Sequence, residues 1–131
     1  MKTIPTALAV ASLAATCALV MSSTPAAASG DDSVIRTGSC SGASDWKLKV
    51  KTEDNGLEVE GEVDSNVVGQ TWRWTFTDNG VRVARGTSTT TAPSGSFEVE
   101  RRIANAPGTD RIVFRAVNPS TGEVCRGTIR F

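Results

Sequence analysis

Through nearly all of the chain after Gly30, apolar and polar residues alternate with a period of two. Trp72, Trp74 and Phe76 hold one parity, while Thr71, Arg73, Thr75 and Thr77 hold the other. Leu48 and Val50 are interleaved in the same way with Lys47, Lys49 and Lys51. Successive side chains of a strand point to opposite faces, so this alternation predicts strands buried on one face only. No segment carries a helical period.

Turn-forming clusters divide the pattern. Residues 45–53 and 57–65 read as strands joined through Asp54-Asn55-Gly56, and 70–78 and 81–87 as strands joined through Asn79-Gly80. Asn-Gly tolerates the positive φ angles of the hairpin turns that match strand twist. With Asn55-Gly56 as the two loop residues, Lys51 faces Glu60, Lys49 faces Glu62 and Lys47 faces Asp64, with Leu48 opposite Val63. In the second hairpin the same device puts Phe76 opposite Val83 and Trp74 opposite Arg85. Arg85 would then lie on the apolar side and stack over Trp74.

Residues 88–95, rich in Ser and Thr and containing Pro93, are too long for a hairpin loop and predict a crossover between sheets. Residues 96–103 alternate again, with Phe97, Val99 and Ile103 inward. Asn105-Ala106-Pro107-Gly108 leads into 110–118, and Pro119-Ser120-Thr121-Gly122 into 123–131. Ile112, Phe114 and Ala116 then share a face with Cys125, Ile129 and Phe131. With a short strand at Val34-Arg36, seven to eight strands predict an all-β fold, an antiparallel two-sheet sandwich of Greek-key, immunoglobulin-like type. A small up-and-down β-barrel is the alternative.

The residues before Gly30 depart from this pattern. Lys2 precedes an Ala/Leu/Val-rich run from Ala7 to Met21, and Ala26-Ala27-Ala28 follows. A basic start, an apolar run and a small-x-small site describe a secretory signal peptide, predicted to span 1–28 with cleavage after Ala28. A lipid anchor at Cys17 is the rival, but Thr16 and Ala14 hold places where a lipobox favours other residues, and the apolar run continues past Cys17. The remainder, 29–131, is long enough for one secreted domain and not two. Removing the leader takes away Lys2 and no carboxylate. Thirteen basic residues then face fourteen acidic ones, a formal charge of −1. Overall charge thus points to no polyanionic partner.

Cys40 and Cys125 are then the only cysteines, and export carries them into an oxidising compartment. A structural bridge closing the loop 41–124 is expected to stabilise the fold by about 4–5 kcal/mol. A redox or metal-binding thiol pair usually sits close in sequence, and this pair does not.

The runs Glu62-Val63-Asp64-Ser65-Asn66, Gly69-Gln70-Thr71-Trp72, Ser94-Gly95-Ser96-Phe97 and Thr121-Gly122-Glu123-Val124-Cys125 carry a resemblance. With the alanine-rich leader, the chain resembles small secreted β-sandwich proteins of actinobacteria. That resemblance implies an extracellular location and an immunoglobulin-like shape, and it brings no catalytic residue with it. The antibody pattern, a cysteine pair around a tryptophan at set spacings and a tyrosine corner, is missing: the chain has no tyrosine.

Chemistry narrows the function further. The chain has no histidine, which removes the commonest general base and zinc ligand. Carboxylates at 58, 60, 62 and 64 fall on an exposed strand face opposite lysines, whereas calcium cages come from loops that wrap the ion. Ser94-Gly95-Ser96 has no base in view. The expectation is a non-enzymatic protein with no cofactor and no metal. Trp72 and Trp74 could form a sugar platform if exposed, but their parity with Phe76 predicts burial.

One feature points outward. Pairing the last hairpin across 119–122 sets Arg111 opposite Arg130 and Arg115 opposite Arg126, on the face away from Cys125 and Ile129. Like charges directly opposed cost stability, so this stripe is a candidate binding surface for something anionic. The competing reading pairs 96–103 with 110–118, which would set Glu98 and Glu100 beside the arginines and neutralise them. The expected product is a secreted, extracellular interaction module and monomer. Its partner would be an extracellular protein or an anionic envelope polymer, with no nucleic acid and no membrane after leader removal. An inhibitor of secreted hydrolases, using the stiff segment Thr87 to Ser96, is the second reading, and a small enzyme the third.

Overall fold

Among the described residues eight strands arise from the alternating segments: β1 (Ser33–Ser39), β2 (Asp45–Glu53), β3 (Gly56–Asp64), β4 (Thr71–Asp78), β5 (Val81–Thr89), β6 (Ser96–Ala104), β7 (Arg111–Val117) and β8 (Val124–Arg130). The computed structural model describes residues 32–131. The predicted leader, its cleavage site and Cys17 lie outside the described residues. The strands form two four-stranded antiparallel sheets, ordered β1-β2-β3-β6 and β5-β4-β7-β8. Both sheets are open, so the fold is a sandwich rather than a closed barrel. The segment between β5 and β6 crosses from one sheet to the other, as its length and composition predict.

Parity is as the sequence predicts in β2, β3, β4, β7 and β8. Leu48, Val50, Leu57, Val59 and Val63 from one sheet meet Trp72, Trp74, Phe76, Ile112, Phe114, Ala116 and Ile129 from the other, all buried. Burying each large apolar side chain contributes about 1.5–3 kcal/mol relative to exposure. Phe76 and Phe114 pack at 5.2 Å between ring centroids. Gly61 faces Phe114 across the layers, where a Cβ would lie 2.5 Å from the ring. The missing side chain is what lets the ring fill the gap.

The two margins of the sandwich close differently. At one, the Cys40–Cys125 disulfide joins the end of β1 to β8, with Cα atoms 4.3 Å apart and Cys125 fully buried. Trp46 packs over Gly127 of the same strand, whose Cβ would meet the indole at 2.3 Å. The Ser44 amide and hydroxyl both donate to the Glu123 carboxylate, at 3.0 and 2.8 Å, and hold the 40–44 loop against the start of β8. At the other margin a guanidinium, rather than a bond, covers the core. Arg101 on β6 lies 4.8 Å from the centre of the Trp74 ring, while the Trp74 Nε1–H donates to Ser88 Oγ at 3.0 Å.

Four local expectations are corrected. In the first hairpin the two loop residues are Asp54 and Asn55, with φ of 41° and 67°, and Gly56 enters the strand. Lys51 therefore faces Glu58, Lys49 faces Glu60, Lys47 faces Glu62 and Leu48 faces Gly61. The alignment moves by two residues, which leaves every side chain on its predicted face. In the second hairpin Asn79-Gly80 is the turn, but a β-bulge between Phe76 and Thr77 shifts β5 by one residue. Ala84 faces Phe76, Gly86 faces Trp74, and Val81 and Val83 are exposed. Arg85 is thrown to the outer face, opposite Thr75, so Arg101 and not Arg85 stacks over Trp74. The predicted short strand at 34–36 is a seven-residue strand, paired with β2 along its whole length. Finally, β6 pairs with β3 and not with β7.

Candidate functional site

That last pairing decides the arginine question. Because β6 lies in the other sheet, Glu98 faces Glu62 and Glu100 faces Glu60, and neither stands next to the arginines. The β7–β8 register is as predicted, with Arg111 opposite Arg130 and Arg115 opposite Arg126. All four are exposed. Sequence reasoning missed three further members of the same surface. Arg73 on β4 faces Val117, Arg85 on β5 faces Thr75, and Arg82 faces Thr77 beside the bulge. The outward parity of Arg73 was visible in the sequence; the bulge concealed Arg85.

The outer face of the β5-β4-β7-β8 sheet thus carries seven arginines: Arg73, Arg82, Arg85, Arg111, Arg115, Arg126 and Arg130. Among the described residues, no strand of this sheet sets a carboxylate on that face. Asp78, the acidic residue of β4, points inward and is buried, as is Asp110 before β7. None of the seven guanidinium groups makes an ion pair or hydrogen bond with another described residue.

Between the arginines stand short or apolar side chains. Crossing the strands, one row runs Arg85, Thr75, Arg115, Arg126. A second row runs Thr87, Arg73, Val117, Val124. Two shallow depressions result, one on each side of Thr75. The first, of about 330 Å³, is lined by Arg73, Thr75, Arg115, Val117 and Pro119. The second, of about 360 Å³, is lined by Arg73, Trp74, Thr75, Arg85, Gly86 and Thr87. Arg73 and Thr75 border both.

The outer face of the other sheet is built differently. Its β2 lysines alternate with carboxylates: Lys47 reaches Glu60 at 3.6 Å, and Lys51 reaches Glu58 at 3.6 Å and Glu53 at 3.2 Å. Carboxylate oxygens of Glu58, Glu60 and Glu100 come within 4.8 Å of one another. With Lys47 and Lys51 on two of the three, the cluster is already partly compensated. Desolvation, then the charges of Glu60 and Glu62, raise the Glu98 carboxyl above its ordinary value.

Trp72 and Trp74 are buried, 0 % and 2 % exposed, so they offer no sugar platform. Ser94 and Ser96 hydroxyls meet each other at 2.8 Å. At the end of the sandwich where β4 stops, burial pushes the Asp78 carboxyl up to about 6, helped by a hydrogen bond to Asp110 and by its charge. Asp78 Oδ1 has no hydrogen-bond partner among the described residues.

No protein-family model matches the chain, and no curated protein or solved structure matches it.

Proposed function

We propose that this chain is a secreted, non-enzymatic interaction module that holds an anionic partner on the outer face of its β5-β4-β7-β8 sheet. The observation that carries the reading is the set of seven exposed arginines with no compensating carboxylate among the described residues of that face. Cross-strand arginine pairs oppose folding, by a few tenths to about 1 kcal/mol each. A planar fork of five donors suits carboxylate and phosphate oxygens, which supports an anionic partner over a neutral one. The predicted export signal and the disulfide are compatible with an extracellular setting. Affinity capture from the producing cells' medium and envelope, with wild type and an Arg115→Ser/Arg126→Ser variant as baits, tests this. A partner retained by wild type and lost by the variant is expected. Equal retention by both would overturn the reading.

A second reading, protease inhibition, draws on one feature. The 91–94 segment is exposed and braced, with Thr91 N–H donating to Ser96 O at 2.9 Å and Gly95 N–H to Thr91 O at 2.9 Å. Ready proteolytic cutting within it would dismiss inhibition. Slow, reversible protease binding would favour it.

A further inference from the structure

Resting on that reading, we infer that the partner is a linear polyanion, with phosphate or carboxylate groups along its length, laid across the strands from Arg85 past Thr75 to Arg115 and Arg126. Three observations select this occupant. First, the arginines are spread over the face and not gathered at one point. The opposed pairs Arg115/Arg126 and Arg111/Arg130 each sit on neighbouring strands about 4.8 Å apart, but the two pairs lie four residues, about 13 Å, apart along the strands, and Arg85 stands beyond Thr75 in the row of Arg115. An extended ligand can meet them in turn. Second, the relief of the face is directional. Its two depressions flank Thr75 and share Arg73, with Arg85 bounding one and Arg115 the other. Thr75, Gly86 and Thr87, all short, line one of them beside the buried Trp74, so a chain can lie between the guanidinium groups of Arg73 and Arg85. Third, among the described residues the face exposes no aromatic ring: its tryptophans are buried and its other outward residues are Thr and Val. Stacking on bases or sugar rings is therefore absent, and charge with fork-shaped hydrogen bonding is what the surface offers.

A second copy of this chain, presenting its carboxylate-rich face, is the competing occupant. That face is interleaved with Lys47, Lys49 and Lys51, which oppose the arginines. A polymer without cations has no such penalty.

Titration of the purified protein with long-chain polyphosphate, tripolyphosphate, orthophosphate and polygalacturonate tests the inference. Long-chain polyphosphate or polygalacturonate, or both, should bind, with affinity rising with chain length. Affinity should fall about tenfold or more between about 50 and 200 mM salt, as counterions are released. The tighter of the two polymers identifies the anion. Arg85→Ser/Arg115→Ser, on the track, should weaken binding about tenfold. Arg111→Ser/Arg130→Ser, off it, should weaken binding only about two- to threefold by reducing the general field. Lys replacements at 85 and 115 keep the charge and lose the fork, and should fall between wild type and the Ser variant.

Tripolyphosphate binding as tightly as the long polymers, equal losses on and off the track, or salt-dependent self-association without polymer binding would overturn the polymer track. An acidic protein captured through the same arginines would also overturn it, while leaving the interaction-module reading intact. Unchanged binding of every ligand in all the arginine variants would overturn both. Thermal melts of each variant show whether a loss comes from unfolding.

Discussion

The two outer faces of this sandwich are built from the same device, charged residues at every second strand position, and use it in opposite ways. On the β1-β2-β3-β6 sheet, like charges also meet: Glu60 faces Glu100 and Glu62 faces Glu98. Their other cross-strand neighbours, however, are Lys49 and Lys47, so each acidic row is flanked by a basic one. On the β5-β4-β7-β8 sheet, Arg115 stands between Arg126 and Thr75, with no carboxylate of the described residues in that row. One face has charges arranged to support the fold. The other has charges that oppose it, and that difference is what supports the proposed binding face.

The largest expected effect concerns what the two faces share. The disulfide ties the outer strand of one sheet to the outer strand of the other, and its contribution of about 4–5 kcal/mol corresponds to roughly 20 °C or more for a domain this size. Reduction should lower the melting temperature on that scale. Below the new midpoint, anion binding should persist, because the arginine register depends on β4, β7 and β8 and not on the bridge. Binding lost in the still-folded reduced protein would show that the faces are not independent of the margin that joins them.

Next in size is the response to pH, which separates the faces because carboxylates titrate in the accessible range and arginines do not. Asp78, buried beneath the arginine sheet, has its carboxyl raised from 3.8 to about 6. The folded state therefore favours the protonated form. The stability it supplies is complete below about pH 4 and is lost as pH rises through about 6. With solvent close by at the strand end, that contribution is on the order of 1–2 kcal/mol. Asp78→Asn should flatten this decline and stabilise the protein above pH 6, measured by denaturant unfolding across pH 4 to 8. An Asp78→Asn variant whose stability changes with pH just as wild type's does would contradict the raised Asp78 carboxyl.

A smaller effect tests the faces against each other. Arg115→Glu places a carboxylate directly opposite Arg126 and should raise stability by about 0.5–1 kcal/mol. Lys49→Glu inserts a further carboxylate beside Glu60 and Glu100 and should lower it by a similar amount. Two changes of the same sign would erase the distinction between the faces.

Much of this contrast was legible in the sequence, for a physical reason. Parity survives errors in register of two residues, so reading Asn55-Gly56 instead of Asp54-Asn55 as the turn left Lys47, Lys49 and Lys51 outward and Leu48 inward. The Arg111/Arg130 and Arg115/Arg126 oppositions were legible because a short even-numbered loop joins their strands. Two features were not. A β-bulge has no residue signature here, since Val81, Arg82 and Val83 alternate as well bulged as straight, and it alone decides whether Arg85 faces the core or the solvent. The partner of β6 is a non-local choice between β3 and β7. Both pairings satisfy its inward Phe97 and Val99, yet only one leaves Glu98 and Glu100 away from the arginines. The stripe was visible beforehand, but its extension to Arg85 and its freedom from carboxylates became visible only once those two ambiguities were resolved.

The smallest expected stability change accompanies the most decisive test. In Arg115→Ser/Arg126→Ser, one directly opposed pair is gone and nothing in the core is touched. Melting temperature and long-chain polyphosphate binding, measured on the same preparation beside wild type, read the two consequences together. A melting temperature unchanged or raised by a few degrees, with binding weakened about tenfold or more, is the result expected of arginines kept for a ligand at a small cost to the fold. A lowered melting temperature with binding unaffected would mean that these arginines hold the domain together, and would contradict the account.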